Sequence, residues 1–466
     1  MRILVLLIAM ITAAWPQEVG VLVDAAAAKE PMEIGRYGLG QGGLSDDPMF
    51  EMHREDIRSL KVRMIRLFIQ EYFNVYPNHG VYNWKVLDRS VDNIRQTGAQ
   101  PLMSICIKPR VLYPVIDETK VDPSSYAEWE RLIYQMVRHY NVEKKYGIKY
   151  WEVFNEPDIG ERGGSPSLFN AENYCRYYEH TARAILRADP TVKVGGPALA
   201  NYSHPILKAL LAHVAEKHVP LHFVSWHMYN RDPLEFRRSI ESVKSLLNQF
   251  PTLDCETMLD EWNMSVRGVP PPAAYQPAYT IDTIYQMRQA GLDYAAHYHI
   301  RDYHVSREQF AGFMSRKGAL HMEEYWNLRP RYYGIYDYQG IMRPLYFAFK
   351  LLSRLSGSRL EAQSDRPAEV KLMASYDEDQ EMIQALVWNF TAAMPKNHRV
   401  NLAINNLGGK RWAVRRILLD AETASNQEND RLRVVRDETL EAVDVFKDSF
   451  DLPGYGVTLI SLKKLE

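Results

Sequence analysis

The sequence predicts an α/β fold: a (β/α)8 barrel followed by a C-terminal β-sandwich. Three observations predict it. From residue 35 to about 352, short β-prone runs alternate with longer amphipathic stretches, the pattern of repeated strand–helix units. From about Ser353 the helical period disappears, and short alternating runs separated by turn residues take over. Two of the early runs, Tyr150-Trp151-Glu152-Val153-Phe154-Asn155-Glu156-Pro157 and Met258-Leu259-Asp260-Glu261-Trp262-Asn263, each end in a glutamate where the apolar stretch stops. The exit of a barrel strand is where such folds gather reactive groups.

The expected barrel strands are Tyr37 to Gly40, Arg63 to Ile69, Gln100 to Ile107, Lys149 to Asn155, Thr191 to Gly196, His222 to Tyr229, Met258 to Trp262 and Tyr294 to Ile300. Helices are expected between them. Trp84 to Gln96 has apolar residues at helical spacing and stops before Gly98, a residue suited to a C-cap. Tyr126 to Tyr140 repeats the pattern through Trp129, Leu132, Ile133, Met136 and Val137. Ala171 to Ala188 and Tyr279 to Ala290 do the same, and Pro344 to Leu352 opens on a proline as a last barrel helix. The sandwich strands are Val370 to Tyr376, Met382 to Asn389, Arg399 to Ile404, Trp412 to Asp420 and Gly456 to Leu462, with Glu422 to Arg433 a polar loop. No strand is followed by a GxGxxG motif; Gly38-Leu39-Gly40-Gln41-Gly42-Gly43 has glycines in the wrong setting for a dinucleotide.

A chain of 466 residues implies more than one domain. The expected division is a signal peptide at 1–28, the barrel at 33–352 and the sandwich at 353–466. Arg2 followed by the apolar stretch Ile3 to Ala14 reads as an export leader, with Ala26-Ala27-Ala28 as the cleavage site and Thr12-Ala13-Ala14 as an earlier one. A secreted or periplasmic protein follows, with no stable membrane span once the leader is gone. A formal charge of −2 offers no basic field for nucleic acid. Cys106, Cys175 and Cys255 form no CxxC motif, which argues against a disulfide framework or a zinc knuckle. Oligomeric state has no signal.

Two carboxylates at the exits of barrel strands are the equipment for cleaving a glycosidic bond. About a hundred residues separate Glu156 from Glu261, room for three more strand–helix units at roughly 30 to 35 residues each. That spacing is the relation of the fourth and seventh barrel strands. Alternation along the first run puts Trp151, Val153 and Asn155 on one face and Glu152, Phe154 and Glu156 on the other. Asn155 lies beside the acid and can donate to a sugar hydroxyl. His227 and Tyr229 share a face of Phe223 to Asn230; Tyr229 is placed to hold Glu261 ionised, and His227 to bridge to a carboxyl or a sugar. Arg66 lies within an apolar strand, where a charge needs a partner: Glu261 or Asn155 near the mouth, or Glu152 lower down. A metal on His297, His299 and His304 is conceivable, but spacing fixes no third ligand; no metal and no cofactor is expected. Pro270 to Pro277 is a stiff loop after the seventh strand.

These residues resemble the (β/α)8 retaining glycosidases that carry their acid/base and nucleophile on strands four and seven, and within them glycoside hydrolase family 39. The matching stretches are Trp151 to Asp158, Trp226-His227-Met228-Tyr229, Asp260 to Ser265, and the late run from Tyr333-Gly334-Ile335-Tyr336 to Pro344-Leu345-Tyr346. The likeness spans roughly residues 35 to 352. It implies a hydrolase acting on an oligo- or polysaccharide, β-xylosidase-like, with Glu156 as acid/base, Glu261 as nucleophile, and Asn155, His227 and Tyr229 as sugar contacts. Alternatives are a non-catalytic glycan-binding barrel, an endo-acting exopolysaccharide glycosidase and a transglycosylase. Two departures stand out. Tyr298 occupies the place where such enzymes often have a tryptophan platform. Ile107-Lys108-Pro109-Arg110 is unusually basic, which suggests an acidic or sulfated sugar.

Overall fold

The computed structural model describes residues 17–42, 48–265, 271–327, 334–422 and 432–466. They form two compact units. The strands, in chain order, are β1 (Gln17–Pro31), β2 (Tyr37–Gln41), β3 (Met64–Gln70), β4 (Gln100–Cys106), β5 (Tyr150–Val153), β6 (Lys193–Leu199), β7 (Phe223–Tyr229), β8 (Glu256–Asn263) and β9 (Tyr294–Tyr298). They continue as β10 (Ser358–Ser364), β11 (Val370–Asp377), β12 (Met382–Asn389), β13 (His398–Asn405), β14 (Lys410–Leu419), β15 (Arg433–Val443), β16 (Phe446–Leu452) and β17 (Val457–Lys464).

Strands β2 to β9 close into a parallel barrel, and each falls on one of the eight expected runs. Its floor is an apolar layer of Met64, Leu102, Tyr150, Phe223 and Met258. One step up each strand, two residues along, the inward positions become Arg66, Ser104, Glu152, Ser225 and Asp260, all buried. The barrel therefore stands on oil and carries a polar layer directly beneath its mouth. Outside, the expected helices are present as Lys85–Gln96, Tyr126–Val137, Ala171–Ala188, Tyr275–Gln289 and Pro344–Leu352. Two more, Pro205–Lys217 and Pro233–Leu247, complete the alternation; each opens on a proline behind a side-chain N-cap, His204 and Asp232.

The second unit is one mostly antiparallel sheet in the order β15-β14-β17-β12-β11-β10-β1-β13-β16. Its two end strands meet: Arg436 of β15 and Arg416 of β14 both pair with Asp448 of β16, at 2.6 and 3.3 Å. The sheet thus folds over a core that includes Val387, Trp412, Phe450 and Ile460. Four of its strands escaped the sequence reading. In β15 the outward residues are charged, so no apolar alternation marks it.

The first strand matters most for domain boundaries. Gln17–Pro31 pairs in parallel with β13 and antiparallel with β10, and buries Val19, Val21 and Val23. Residues 17–28 thus belong to the sandwich unit, which the division at Ala28 had given to the leader. The run misleads because three valines at alternate positions followed by alanines look alike as a buried strand and as a leader's end. A cut after Ala14 leaves the strand whole. Residues 1–16 lie outside the described residues, as do Pro270, Tyr333 and residues 423–431 of the polar loop. Among the described residues no helix is long and apolar enough to cross a membrane.

Burying three valines is worth about 1.5–3 kcal/mol each, comparable with the whole stability of a small domain. A chain beginning at Gln17 is expected to melt as the full chain does. One beginning at Lys29 should lose the sandwich transition, read by calorimetry. Equal melting of the two truncations would show that the strand is dispensable.

Candidate active site

The barrel mouth is assembled by two breaks in regular strand geometry. Along β5 the expected alternation stops at Val153, because Phe154 and Glu156 both take left-handed backbone angles, φ 79° and 44°. Such angles cost about 1–3 kcal/mol each and persist only where surroundings impose them. Here the Phe154 N–H donates to the Ile105 carbonyl at 3.0 Å, and that of Glu156 to Ala198 at 2.9 Å. Phe154 is thrown outward against Phe169 and Tyr177. Asn155 and Glu156 both turn to the barrel interior, so the expected opposition of these two side chains is corrected.

The second break lies in β8. Trp226 of β7 sits opposite Leu259, yet the next residue, His227, sits opposite Glu261. The extra residue is a β-bulge, a device that re-aims side chains. Asp260 and Glu261 consequently both face inward, while Trp262 packs outside against Phe236 and His297.

Through these breaks Glu156, His227 and Glu261 converge: one ligand atom from each lies within 4.8 Å of the others. Tyr229 Oη donates to Glu261 Oε1 at 2.6 Å, as expected. His227 Nδ1 lies 2.9 Å from Glu156 Oε1. The other Glu156 oxygen faces Gly163, where a Cβ would come within 1.8 Å of it. The three groups are close enough to grip a cation. However, Arg66 and Tyr229 already occupy both Glu261 oxygens, and the guanidinium charge opposes a second cation there. His297, His299 and His304 go separate ways. His297 is wedged between Trp262 and Phe349, where burial pulls its pKa down to about 3. His299 pairs with Asp302, and His304 stacks on Tyr338.

Arg66 organises the layer below. Its Nε lies 2.8 Å from Glu152 Oε2 and 2.9 Å from Asp260 Oδ2; Nη1 lies 3.2 Å from Glu261; Nη2 reaches Ser104 at 3.0 Å and Asn155 Oδ1 at 2.8 Å. With Arg66 at 1% exposure all of these contacts are buried, and what they do is hold carboxylates. Glu152, Asn155 and Glu261 all bind it together. Burial raises the pKa of Glu156 well above the carboxylate range, and the charges of Glu261 and Asp158 add to this. Burial also raises Glu261, and Arg66 and the Tyr229 hydroxyl draw it only part of the way back. The two carboxyls are thereby pushed apart, with Glu156 the one that keeps a proton.

The glycosyl hydrolases family 39 model matches residues 52–408. The chain belongs to that family. It is 28% identical over 243 residues to a beta-xylosidase of Geobacillus stearothermophilus, covering 46% of this chain and 47% of that protein. It is 26% identical over 325 residues to a beta-xylosidase of Caldicellulosiruptor saccharolyticus, covering 63% and 61%. The chain therefore spans about half to three fifths of the length of these curated relatives. The crystal structure of the GH39 enzyme from Xanthomonas axonopodis pv. citri matches with a TM-score of 0.77 at 18% identity, over 97% of this chain and 98% of that one.

Within this family 39 site the other expected residues find their places. Tyr298 is buried at the exit of β9, its hydroxyl 2.6 Å from that of Tyr303. Trp326, from the helix Arg316–Asn327, lies 6.3 Å from its ring and stacks on Tyr303. An indole thus stands beside Tyr298, delivered from a later helix where no strand pattern marked it. Lys108 is buried and spends its ammonium on the carbonyls of Asp117 and Pro166, at 2.7 and 3.0 Å. Burial lowers its pKa to about 8. It pins loops together, so Lys108 itself lends no support to an acidic sugar. Missed from sequence were Asp260 and Ser165, whose hydroxyl donates to the Asn155 carbonyl and accepts from its amide.

Replacing Arg66 by methionine strands several buried carboxylates. A loss of about 3–5 kcal/mol is expected, measured by urea unfolding near pH 7. Burial raises the folded Glu152 pKa, but Arg66 together with hydrogen bonds from Asp260 and Ser225 brings it below its free value. The contribution of that pair is therefore complete above the free carboxylate pKa and fades as pH falls through the lower folded value. The deficit should shrink in acid. A loss under about 1 kcal/mol at neutral pH would remove Arg66 from this role.

Proposed function

We propose that this chain is a retaining β-glycosidase of the β-xylosidase kind, with Glu261 as nucleophile and Glu156 as acid/base. One observation carries the reading: oxygens of the two carboxyls lie within 4.8 Å across a barrel mouth, a separation suited to double displacement, whereas inversion needs a wider gap for water. The two curated relatives described above are beta-xylosidases, which supports a β-xyloside as substrate. Glu261 attacks the anomeric carbon while the proton of Glu156 passes to the departing oxygen. The glycosyl ester on Glu261 then has no negative charge. Glu156 loses the neighbour that helped to raise its pKa and becomes the better base for activating water. Asn155 and Tyr298 line the sugar's position, and Tyr229 aims the nucleophile. We also infer export, with the leader ending at Thr12-Ala13-Ala14, since that cut spares the strand Gln17–Pro31.

A 2-fluoroxyloside should leave a covalent label on Glu261, seen by peptide mass spectrometry. Glu261→Ala should abolish turnover. Glu156→Ala should lose about 10²–10⁴-fold on xylosides with poor leaving groups while sparing the first step on a dinitrophenyl xyloside. Mild and equal losses in both variants would rule out these roles. Gly163→Ala should imitate the Glu156 variant, because the new methyl overlaps Oε2 of that carboxyl. A displacement of about 1 Å costs on the order of 10²-fold. Unchanged kinetics would mean that the carboxyl can sit elsewhere.

A further inference from the structure

Asp260 stands beside the reacting pair without belonging to it. Its Oδ2 is 2.9 Å from Arg66 Nε, and its Oδ1 is 3.7 Å from Nε2 of His227. Among the described residues neither that ring nitrogen nor either Asp260 oxygen has a well-aligned hydrogen-bond partner. They are a small rotation from each other. The far side of the same ring, Nδ1, lies against Glu156 Oε1. His227 is therefore interposed between a buried carboxyl and the acid/base.

The charges around Asp260 decide who donates. It faces Arg66 on β3, Glu152 on β5, His227 on β7 and its own neighbour Glu261 on β8. Burial and the Glu152 charge raise its pKa well above the carboxylate range, so it carries a proton. A side-chain hydrogen bond to Glu152 raises it further; the Glu152 oxygens also accept from Arg66 and from Ser225 Oγ at 2.6 Å, whereas Nε2 of His227 has no other donor facing it. Burial and the Arg66 charge keep His227 neutral, with a single ring hydrogen.

We propose that Asp260 is a positioning residue for the acid/base: its Oδ1–H donates to Nε2 of His227, fixing the ring hydrogen on Nδ1, where it donates to Oε1 of Glu156. The proton of Glu156 is then confined to Oε2, which takes no hydrogen bond among the described residues. In the first step the Oε2–H bond breaks as that proton passes to the leaving oxygen. In the second, a proton from the attacking water returns to Oε2. The hydrogens on Asp260 and His227 stay where they are throughout, and Nδ1–H steadies Glu156 while it is an anion. The catalytic consequence rests on the glycosidase reading; the tautomer does not.

The test is ring-nitrogen NMR of the full chain labelled with 15N-histidine, His227 being assigned by His227→Gln. The wild type should show the Nδ1–H tautomer. Asp260→Ala should convert it to Nε2–H, and Asp260→Asn, whose amide can donate to Nε2, should retain Nδ1–H. A wild type with hydrogen on Nε2, or no change in Asp260→Ala, overturns the proposal. In kinetics, Asp260→Ala should lose about 10-fold or more in kcat/KM on a poor-leaving-group xyloside relative to a dinitrophenyl xyloside, a fraction of the acid's 10²–10⁴. Asp260→Asn should recover most of that loss. Equal losses on both substrates, in both variants, would make Asp260 merely structural and also overturn it. A wild type that cleaves no aryl glycoside and takes no fluoroglycoside label defeats the glycosidase reading instead, and the NMR result still decides the tautomer.

Discussion

One guanidinium balances the barrel. Arg66 lies fully buried in contact with Glu152, Asp260 and Glu261, and its charge reaches Glu156 as well. Four carboxyls in a dry layer cannot all be ionised beside a single cation, since each uncompensated charge costs several kcal/mol. Protons must make up the difference. The partners dictate where they go: Glu152 has Arg66 and Ser225 and stays charged, whereas Asp260 and Glu156 have weaker company and are pushed to the neutral form. The site's division into charged and neutral carboxyls thus follows from the count of cations, before any substrate arrives.

That layer is only possible because two strands abandon their period. A regular β5 would send Asn155 and Glu156 to opposite faces, and a regular β8 would send Glu261 out to the helices and turn Trp262 into the barrel. The left-handed turns at Phe154 and Glu156 and the bulge at Asp260 bring the excess inward. Local strain of this kind is stable only on a rigid support. The apolar floor of Met64, Leu102, Tyr150, Phe223 and Met258 supplies it one layer below.

This explains what could be read in advance. The eight barrel strands were legible because apolar runs of fixed length between amphipathic stretches have few other interpretations. Glu156, Glu261, His227 and Tyr229 were legible because a polar residue closing a buried strand is conspicuous. Asp260 was not, because a strict period of two assigns inward positions to Met258 and Asp260 and an outward one to Glu261. Once Glu261 is taken as inward, Asp260 is discarded; only a bulge admits both. Trp326 was hidden for another reason: it comes from a helix whose sequence is not strand-like, and its ring reaches Tyr303 by tertiary packing alone. Gln17–Pro31 was hidden by competition, since a valine-rich strand beside a leader shares the leader's composition.

The asymmetry between the two glutamates is the last step. Glu261 has a partner on each oxygen, Tyr229 on one and Arg66 on the other. Glu156 has His227 on one oxygen and on the other the bare backbone of Gly163. The role proposed for Glu261 requires it to be ionised and aimed, and two donors favour both against the pull of burial. A proton carrier must release and recapture a hydrogen, so one of its oxygens has to be left without a protein donor. Glycine at 163 is the smallest residue that can close the loop over that oxygen without displacing it. The loop is itself anchored, for Glu161 accepts from Ser315 at the start of the helix that carries Trp326. Trp326 and the loop beside Glu156 are thus tied together, and the roles proposed for the two glutamates could not be exchanged without rebuilding their surroundings.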